Sequence, residues 1–167
     1  MRRWVADTSP LLFLAKLNRL DLLRHAAEEI LAPPAVFEEI QQVPDEARDR
    51  LEAARLDWLH VHPVADLALI DVLQADLDLG ESEVIALAQE LKAERVVLDD
   101  LDARRMARRI GLLPIGTLGL LLAARLRGEI PSLRSEIERL ERRGFRVQKA
   151  LVEEVLREAG EEAQGED

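Results

Sequence analysis

The sequence predicts an α/β fold with a mainly parallel sheet, on three observations. Short β-rich runs alternate repeatedly with stretches of helical period, as in strands joined by helical crossovers. Proline and glycine stand where one pattern gives way to the other. The chain has 167 residues, 48% of them hydrophobic and 34% charged, the composition of one globular domain able to bury a core.

Each element can be justified in turn. "RWVAD" reads as the first strand, with Ser9 placed to cap and Pro10 to occupy the first turn of a helix whose apolar positions include Leu11, Leu14 and Leu17. "EILAPP" is a second strand stopped by Pro33 and Pro34, and it leads into the helix "AVFEEIQQ". Residues 45–56 read as an exposed helix or a long connection, and "WLHVH" as a strand of period 2. "ADLALIDVLQADL" is helical, a turn is expected at Gly80, and "ESEVIALAQELKA" follows as a strongly apolar helix.

"RVVLDD" is the next strand, "ARRMARRIG" a helix closed by Gly111, and "LLPIG" a short last strand. Thr117 opens "LGLLLAARLRG", which ends at Gly128. Two charged helices follow, with apolar stripes Leu133, Ile137, Leu140 and Leu151, Val152, Val155, Leu156, each suited to packing on the main body or on a second chain. The expected organisation is a main domain over 1–130, a helical extension over 131–160 and a disordered acidic tail over 161–167. No internal repeat is visible.

Composition excludes several classes. With no cysteine there is no disulfide scaffold, thiolate zinc site or cysteine nucleophile. Few apolar residues precede Asp7, too few for a signal-peptide core, and no apolar run reaches a membrane span, so a cytoplasmic protein without a membrane partner is expected. The net charge of −10 argues against a general basic surface for nucleic acid. Arginines nevertheless gather at Arg104, Arg105, Arg108 and Arg109, and again at Arg125, Arg127, Arg142 and Arg143. Taken alone, these read as solvated helix faces and partners of helix C-terminal dipoles.

Open parallel sheets bind ligands beyond the carboxyl ends of their strands. There the chain places Asp7 with the hydroxyls of Thr8 and Ser9, Glu38 and Glu39 on the next helix, Glu81 and Glu83 after Gly80, and Asp99, Asp100 and Asp102 after "RVVL". Singly, each is an ordinary cap or first-turn acid. Together they would repel one another at a common rim unless a cation compensates. A hard divalent ion such as Mg²⁺ or Mn²⁺ takes oxygen ligands, leaves room for phosphate and can activate water for phosphodiester hydrolysis. His60 and His62 read as a surface pair, and His25 as a lone residue at a helix end.

In their order and spacing, "VADTSPL", "APPAVFEEI", "LGESEVIALA", "VVLDDLDARRMA" and "IGTLGLLL" resemble the PIN domain, the fold of VapC-like toxin ribonucleases, over the chain up to about residue 155. The resemblance extends to a subgroup with a charged C-terminal helical region. It implies a Rossmann-like three-layer α/β/α sandwich, Mg²⁺- or Mn²⁺-dependent cleavage of RNA, a frequent homodimer and, in many members, a small antitoxin partner. Carried over, the family acids match Asp7, Glu39 in preference to Glu38, Glu81 in preference to Glu83, and Asp99 with Asp100 next. The family hydroxyl matches Thr8 or Ser9, and Arg104 and Arg105 would guide phosphate. Asp102 is expected to cap the following helix. Two departures stand out: Leu98 occupies a place where toxins often carry a hydroxyl residue, and the third acid is a glutamate where many relatives use aspartate.

Other classes fit less well. A phospho-receiver domain wants a pair of acids by its first strand, a haloacid-dehalogenase phosphatase an aspartate where Ser9 stands, and a dinucleotide-binding domain a glycine-rich turn where "ADTSPL" has none. The alternative is a catalytically inactive PIN-like protein that binds a partner through its C-terminal stripes.

Overall fold

The computed structural model describes residues 1–161. The chain runs β1 (Arg3–Ala6), α1 (Thr8–Lys16), α2 (Leu20–Arg24), β2 (Glu29–Ala32), α3 (Pro34–Gln41), α4 (Glu46–Arg55), β3 (Leu59–Val61), α5 (Leu67–Leu73), α6 (Leu79–Glu90) and β4 (Arg95–Val97). It continues through α7 (Leu101–Arg109), β5 (Pro114–Ile115), α8 (Thr117–Leu126), α9 (Leu133–Arg142) and α10 (Lys149–Glu158). All five expected strands form, and the segment 45–56 is helix α4, capped by the Asp45 side chain on the Ala47 N–H.

Three local expectations are corrected. Helix α1 is capped by Asp7 rather than Ser9, because the Asp7 carboxylate accepts the Thr8 N–H and the helix starts a residue earlier. Gly80 is not a turn but lies in the first turn of α6, since Asp78 caps that helix. Helix α7 is capped by Asp100, which accepts the Ala103 N–H at 2.9 Å, rather than by Asp102, which lies inside the helix. Gly111 and Gly128 follow α7 and α8 with φ of +88° and +77°, the left-handed geometry that ends a helix at least cost for a residue without Cβ.

The five strands form one all-parallel sheet in the order β3-β2-β1-β4-β5, flanked by helices in a three-layer α/β/α sandwich. Val5, Val96 and Val97 are fully buried, which is why the central strands read as continuous aliphatic runs. Burying each such side chain contributes about 1.5–3 kcal/mol. At the edge, β3 buries Leu59 while His60 and Val61 are both exposed, so burial does not follow the expected period of 2 and the sheet covers only the start of this strand.

Strand order determines where a ligand would lie. From β1 the chain moves outward through β2 and β3, then returns to the other side of β1 for β4 and β5. The switch point is therefore between β1 and β4, which pair Trp4 with Arg95, Val5 with Val96 and Ala6 with Val97. One further bond, from the Asp7 N–H to the Val97 carbonyl at 3.0 Å, carries the ladder past Ala6. Asp7 and the Leu98–Asp100 segment thus leave the sheet side by side.

The chain divides into two compact units, Met1–Thr117 and Leu118 onward. The first holds the whole sheet. In the second, Leu133, Ile137 and Leu140 are buried on α9, and Val155 and Leu156 on α10. Glu161 binds this unit together: its carboxylate accepts the backbone N–H groups of Leu133 (2.7 Å) and Arg134 (3.2 Å), the Ser132 hydroxyl (3.1 Å) and Arg125 Nε (3.0 Å). The rest of the expected acidic tail, 162–167, lies outside the described residues. Among the described residues no helix is long and apolar enough to cross a membrane.

Candidate active site at the carboxyl edge of the sheet

Asp7 leaves β1 at the switch point and is only 6% exposed. Its one oxygen Oδ1 accepts the Thr8 N–H at 2.8 Å. Burial raises its pKa to about 7, against the lowering effect of that hydrogen bond, and the charges of Glu81, Glu39 and Asp78 push the same way as burial. A local cap alone would show none of this crowding, because the repelling acids come from other elements.

Helix α6 delivers two of them. Asp78 and Glu81 form a reciprocal capping box: Asp78 Oδ1 accepts the Glu81 N–H at 2.8 Å, and Glu81 Oε2 accepts the Asp78 N–H at 3.3 Å. The box fixes both carboxylates at the helix start, where the dipole favours negative charge. Even so, the Glu81 pKa rises to about 7, first from burial and then from Asp78 and Asp100.

Helix α3 brings Glu39 to the same place. Gly80 makes this possible: a Cβ there would occupy the position of Glu39 Oε1, so only glycine lets the Glu39 carboxylate lie against the first turn of α6. Glu83 has a different task. Its Oε2 accepts the Ala35 N–H at 3.2 Å, capping α3 across the helix pair, while burial raises its pKa. Glu38 is exposed and acts electrostatically on Glu83, not on Asp7. Of the neighbouring pairs, Glu39 and Glu81 therefore join Asp7.

Asp99 is held differently. Its Oδ1 accepts the Thr117 N–H at 2.7 Å and its Oδ2 the Thr117 hydroxyl at 2.7 Å, with the Ser9 hydroxyl at 3.5 Å. Burial raises its pKa; Thr117, Arg104 and Ser9 act in the opposite sense. Its direct neighbours are thus hydroxyls and a guanidinium, whereas the adjoining Asp100 is the acid that Glu81 feels. Gly116 supplies the room, because a Cβ there would meet Arg104 Nη1, Asp99 Oδ1 at 2.9 Å and the Leu98 carbonyl at 3.3 Å.

Arg104 is half-buried and donates from Nη1 to the Leu98 carbonyl at 3.3 Å. Arg105 is exposed and pairs with Asp102 at 3.5 Å on its own helix. The exposed His60 and the nearby His62, whose Nδ1 lies 2.7 Å from the Pro63 carbonyl oxygen, take no part in the cluster. An open depression lined by Glu138, Glu141 and Arg142 lies on α9 and contains none of these acids.

Sequence reading missed four contributors. Asp78 carried a signal, the Asp-x-x-Glu spacing of a capping box in "DLGE". Thr117 carried none, since it stands 18 residues from the carboxylate it holds. Gly80 and Gly116 looked like punctuation and are instead places where a side chain from another element takes the space of a Cβ.

The donor set suits a hard cation. All its side chains offer oxygen, Asp7 and Glu81 are crowded by like charge, and the buried hydroxyls of Thr8 and Ser82, next in sequence to these two acids, have no hydrogen-bond partner. The arrangement is not closed around an ion: among the described residues no group of three or more His, Asp or Glu side chains stands as it could hold a metal.

A parallel α/β/α sandwich whose switch point gathers carboxylates from β1, α3, α6 and the β4–α7 junction is the class of domain these features define. The chain belongs to the PIN-domain family: the family model described as PIN domain matches residues 3–161. Members of this family are in general nucleases that act on nucleic acid and use divalent metals. Among curated proteins none matches the chain in sequence.

Proposed function

We propose that the protein is a Mg²⁺- or Mn²⁺-dependent endoribonuclease, with Asp7, Glu39, Glu81 and Asp99 as its catalytic carboxylates and Asp100 as a further metal ligand. The observation that carries this reading is the crowding of Asp7 by Glu81, Glu39 and Asp78, acids of two other elements, at the switch point of the sheet. Such an arrangement lowers stability unless a cation offsets it.

When bound, the ion supplies Lewis acidity that activates water and neutralises phosphate charge. The residues do the rest. Asp7, fixed through Oδ1 by its cap bond, keeps its other oxygen for ligation. The capping box holds Glu81 in one orientation. Thr117 and Ser9 hold the Asp99 carboxylate, and Thr8 contributes a buried hydroxyl beside Asp7. Arg104 and Arg105 bring positive charge to the phosphates of the substrate.

Purified protein with Mn²⁺ is expected to cleave members of a panel of RNAs and to stop on chelation. Asp7→Asn is expected to slow cleavage by about 100-fold or more. Equal cleavage by Asp7→Asn would remove the proposed site. The same protein acts as the toxin of a toxin–antitoxin pair and as a homodimer; growth arrest on induced expression, relieved by a small neighbouring gene, and dimer mass by light scattering test these two points.

One observation favours a second reading, an inactive PIN-like partner-binding module: among the described residues no three acids are disposed to hold an ion as they stand. Calorimetric titration separates the two. Uptake of Mn²⁺ at millimolar concentration, lost in Asp7→Asn, supports the nuclease, and no uptake supports the module.

A further inference from the structure

The carboxylates that would hold a cation also repel the RNA phosphates that must approach them. Helix α7 starts beside Asp99 and carries four arginines within six residues, in a chain of net charge −10. They form two rows. Arg104 and Arg108 are one turn apart, about 40° from each other around the axis, whereas Arg109 lies about 140° from Arg104.

The rows are used differently inside the protein. Arg104 is anchored at the site by the Leu98 carbonyl and by the space that Gly116 leaves open. One of its five N–H donors is engaged in that anchor and the Asp99 carboxylate acts on the guanidinium from one side, which leaves N–H donors on its other edge for an anion. Arg108 is exposed and close enough to repel Arg104, and no carboxylate among the described residues pairs with it. Arg105 is already matched by Asp102. A like-charged pair at this spacing is unfavourable within a helix, and a bound anion spanning both guanidiniums removes the repulsion.

We infer that Arg104 and Arg108 form a phosphate-anchoring pair that holds the RNA backbone beside the acidic cluster, independently of the metal. The inference rests on the nuclease reading and names how that site takes its substrate. Arg109, an exposed arginine on the same helix but off this row, is the internal control.

The test is binding of a fluorescein-labelled single-stranded RNA oligomer to the full-length protein in chelator, over a salt series. Arg108→Ala is expected to weaken binding about 10-fold at low salt and to reduce the slope of log K against log salt by roughly 0.7, with Arg108→Lys restoring the slope. Arg109→Ala is expected to stay within twofold of wild type, and calorimetric Mn²⁺ uptake to be unchanged in Arg108→Ala. Wild-type affinity in Arg108→Ala, or an equal loss in Arg109→Ala, overturns the pair. Wild type that shows the Arg108 dependence but never cuts RNA in Mn²⁺ leaves the pair standing and removes the nuclease reading. Wild type that binds no RNA removes both.

Discussion

Thr117 bonds both oxygens of the Asp99 carboxylate, through its backbone N–H and through Oγ1, each at 2.7 Å. The strand end of β4 and the helix start of α8 are thereby joined at one buried point. Thr117 is fully buried, so nothing in solvent replaces its hydroxyl. Thr117→Val is expected to cost about 1–3 kcal/mol in chemical denaturation, because it leaves Oδ2 with only the long Ser9 contact. Thr117→Ser keeps the hydroxyl and is expected to recover most of that loss. Equal stability of the valine and serine variants would show that the hydroxyl bond carries no weight.

Gly80 and Gly116 are expected to separate stability from function. Gly80→Ala adds helix propensity of about 0.5–1 kcal/mol while turning the flexible end of Glu39 away from α6. The variant should melt no lower than wild type and bind Mn²⁺ more weakly in calorimetry. At Gly116 the displaced groups include the Leu98 carbonyl and an Asp99 oxygen already fixed by Thr117. Gly116→Ala is therefore expected to destabilise by about 1–3 kcal/mol as well as to weaken metal uptake.

Glu81 and Glu83, two residues apart, are expected to divide cleanly. Glu83→Ala removes the cap on the Ala35 N–H and should cost about 0.5–2 kcal/mol with cleavage retained. Glu81→Ala should abolish Mn²⁺-dependent cleavage. Loss of cleavage in both to the same degree would contradict the division of labour between them.

Asp7 makes stability fall with pH in chelated protein. Its folded pKa of about 7 lies above the ordinary value of 3.8, so the folded state binds more protons between these two values than the unfolded state. Stability is highest below the lower value and declines as pH rises toward 7, by up to about 1.4 kcal/mol per pH unit for this group. Asp7→Asn should flatten the decline, and saturating Mn²⁺ should reverse it for wild type. Urea midpoints at pH 4.5, 6 and 7.5 decide the matter, and a midpoint that rises across this range in chelated wild type would contradict it.

Glu161 works with the opposite sign. Burial acts to raise its pKa, but hydrogen bonds from Leu133, Arg134, Ser132 and Arg125 outweigh it and hold the carboxyl below its ordinary value. Its contribution is present above the unfolded value and lost as pH falls through the folded one. Glu161→Gln is expected to lower the stability of the helical unit from Leu118 onward by about 1–3 kcal/mol at pH 7, read by hydrogen exchange in α9. Unchanged exchange in α9 would show that the clasp is dispensable.

Much of the fold was legible because its signals are local. Aliphatic runs such as "RVVL" and "EILA" mark strands buried on both faces, and prolines and glycines mark their ends. Caps were less legible. Ser9 and Asp102 are good capping residues by type, yet Asp7 and Asp100 take those places because the chain turns out of the sheet immediately after β1 and β4. Gly80 looked like a turn because a glycine inside a helix is unfavourable, and the reason for it lies in α3, some forty residues earlier.

By itself the sequence determined the alternation of strands and helices, the absence of thiol chemistry and the presence of acids after several strands. Those properties follow from residue type and short-range period. Only the tertiary structure decided which acids meet. Strand order puts the exits of β1 and β4 side by side, the docking of α3 on α6 selects Glu39 and Glu81 over their neighbours, and Thr117 reaches Asp99 across the β4–β5 pair. Period tells which face of an element a residue occupies. It carries no information on which other face that residue will meet, because that depends on packing between segments distant in the chain.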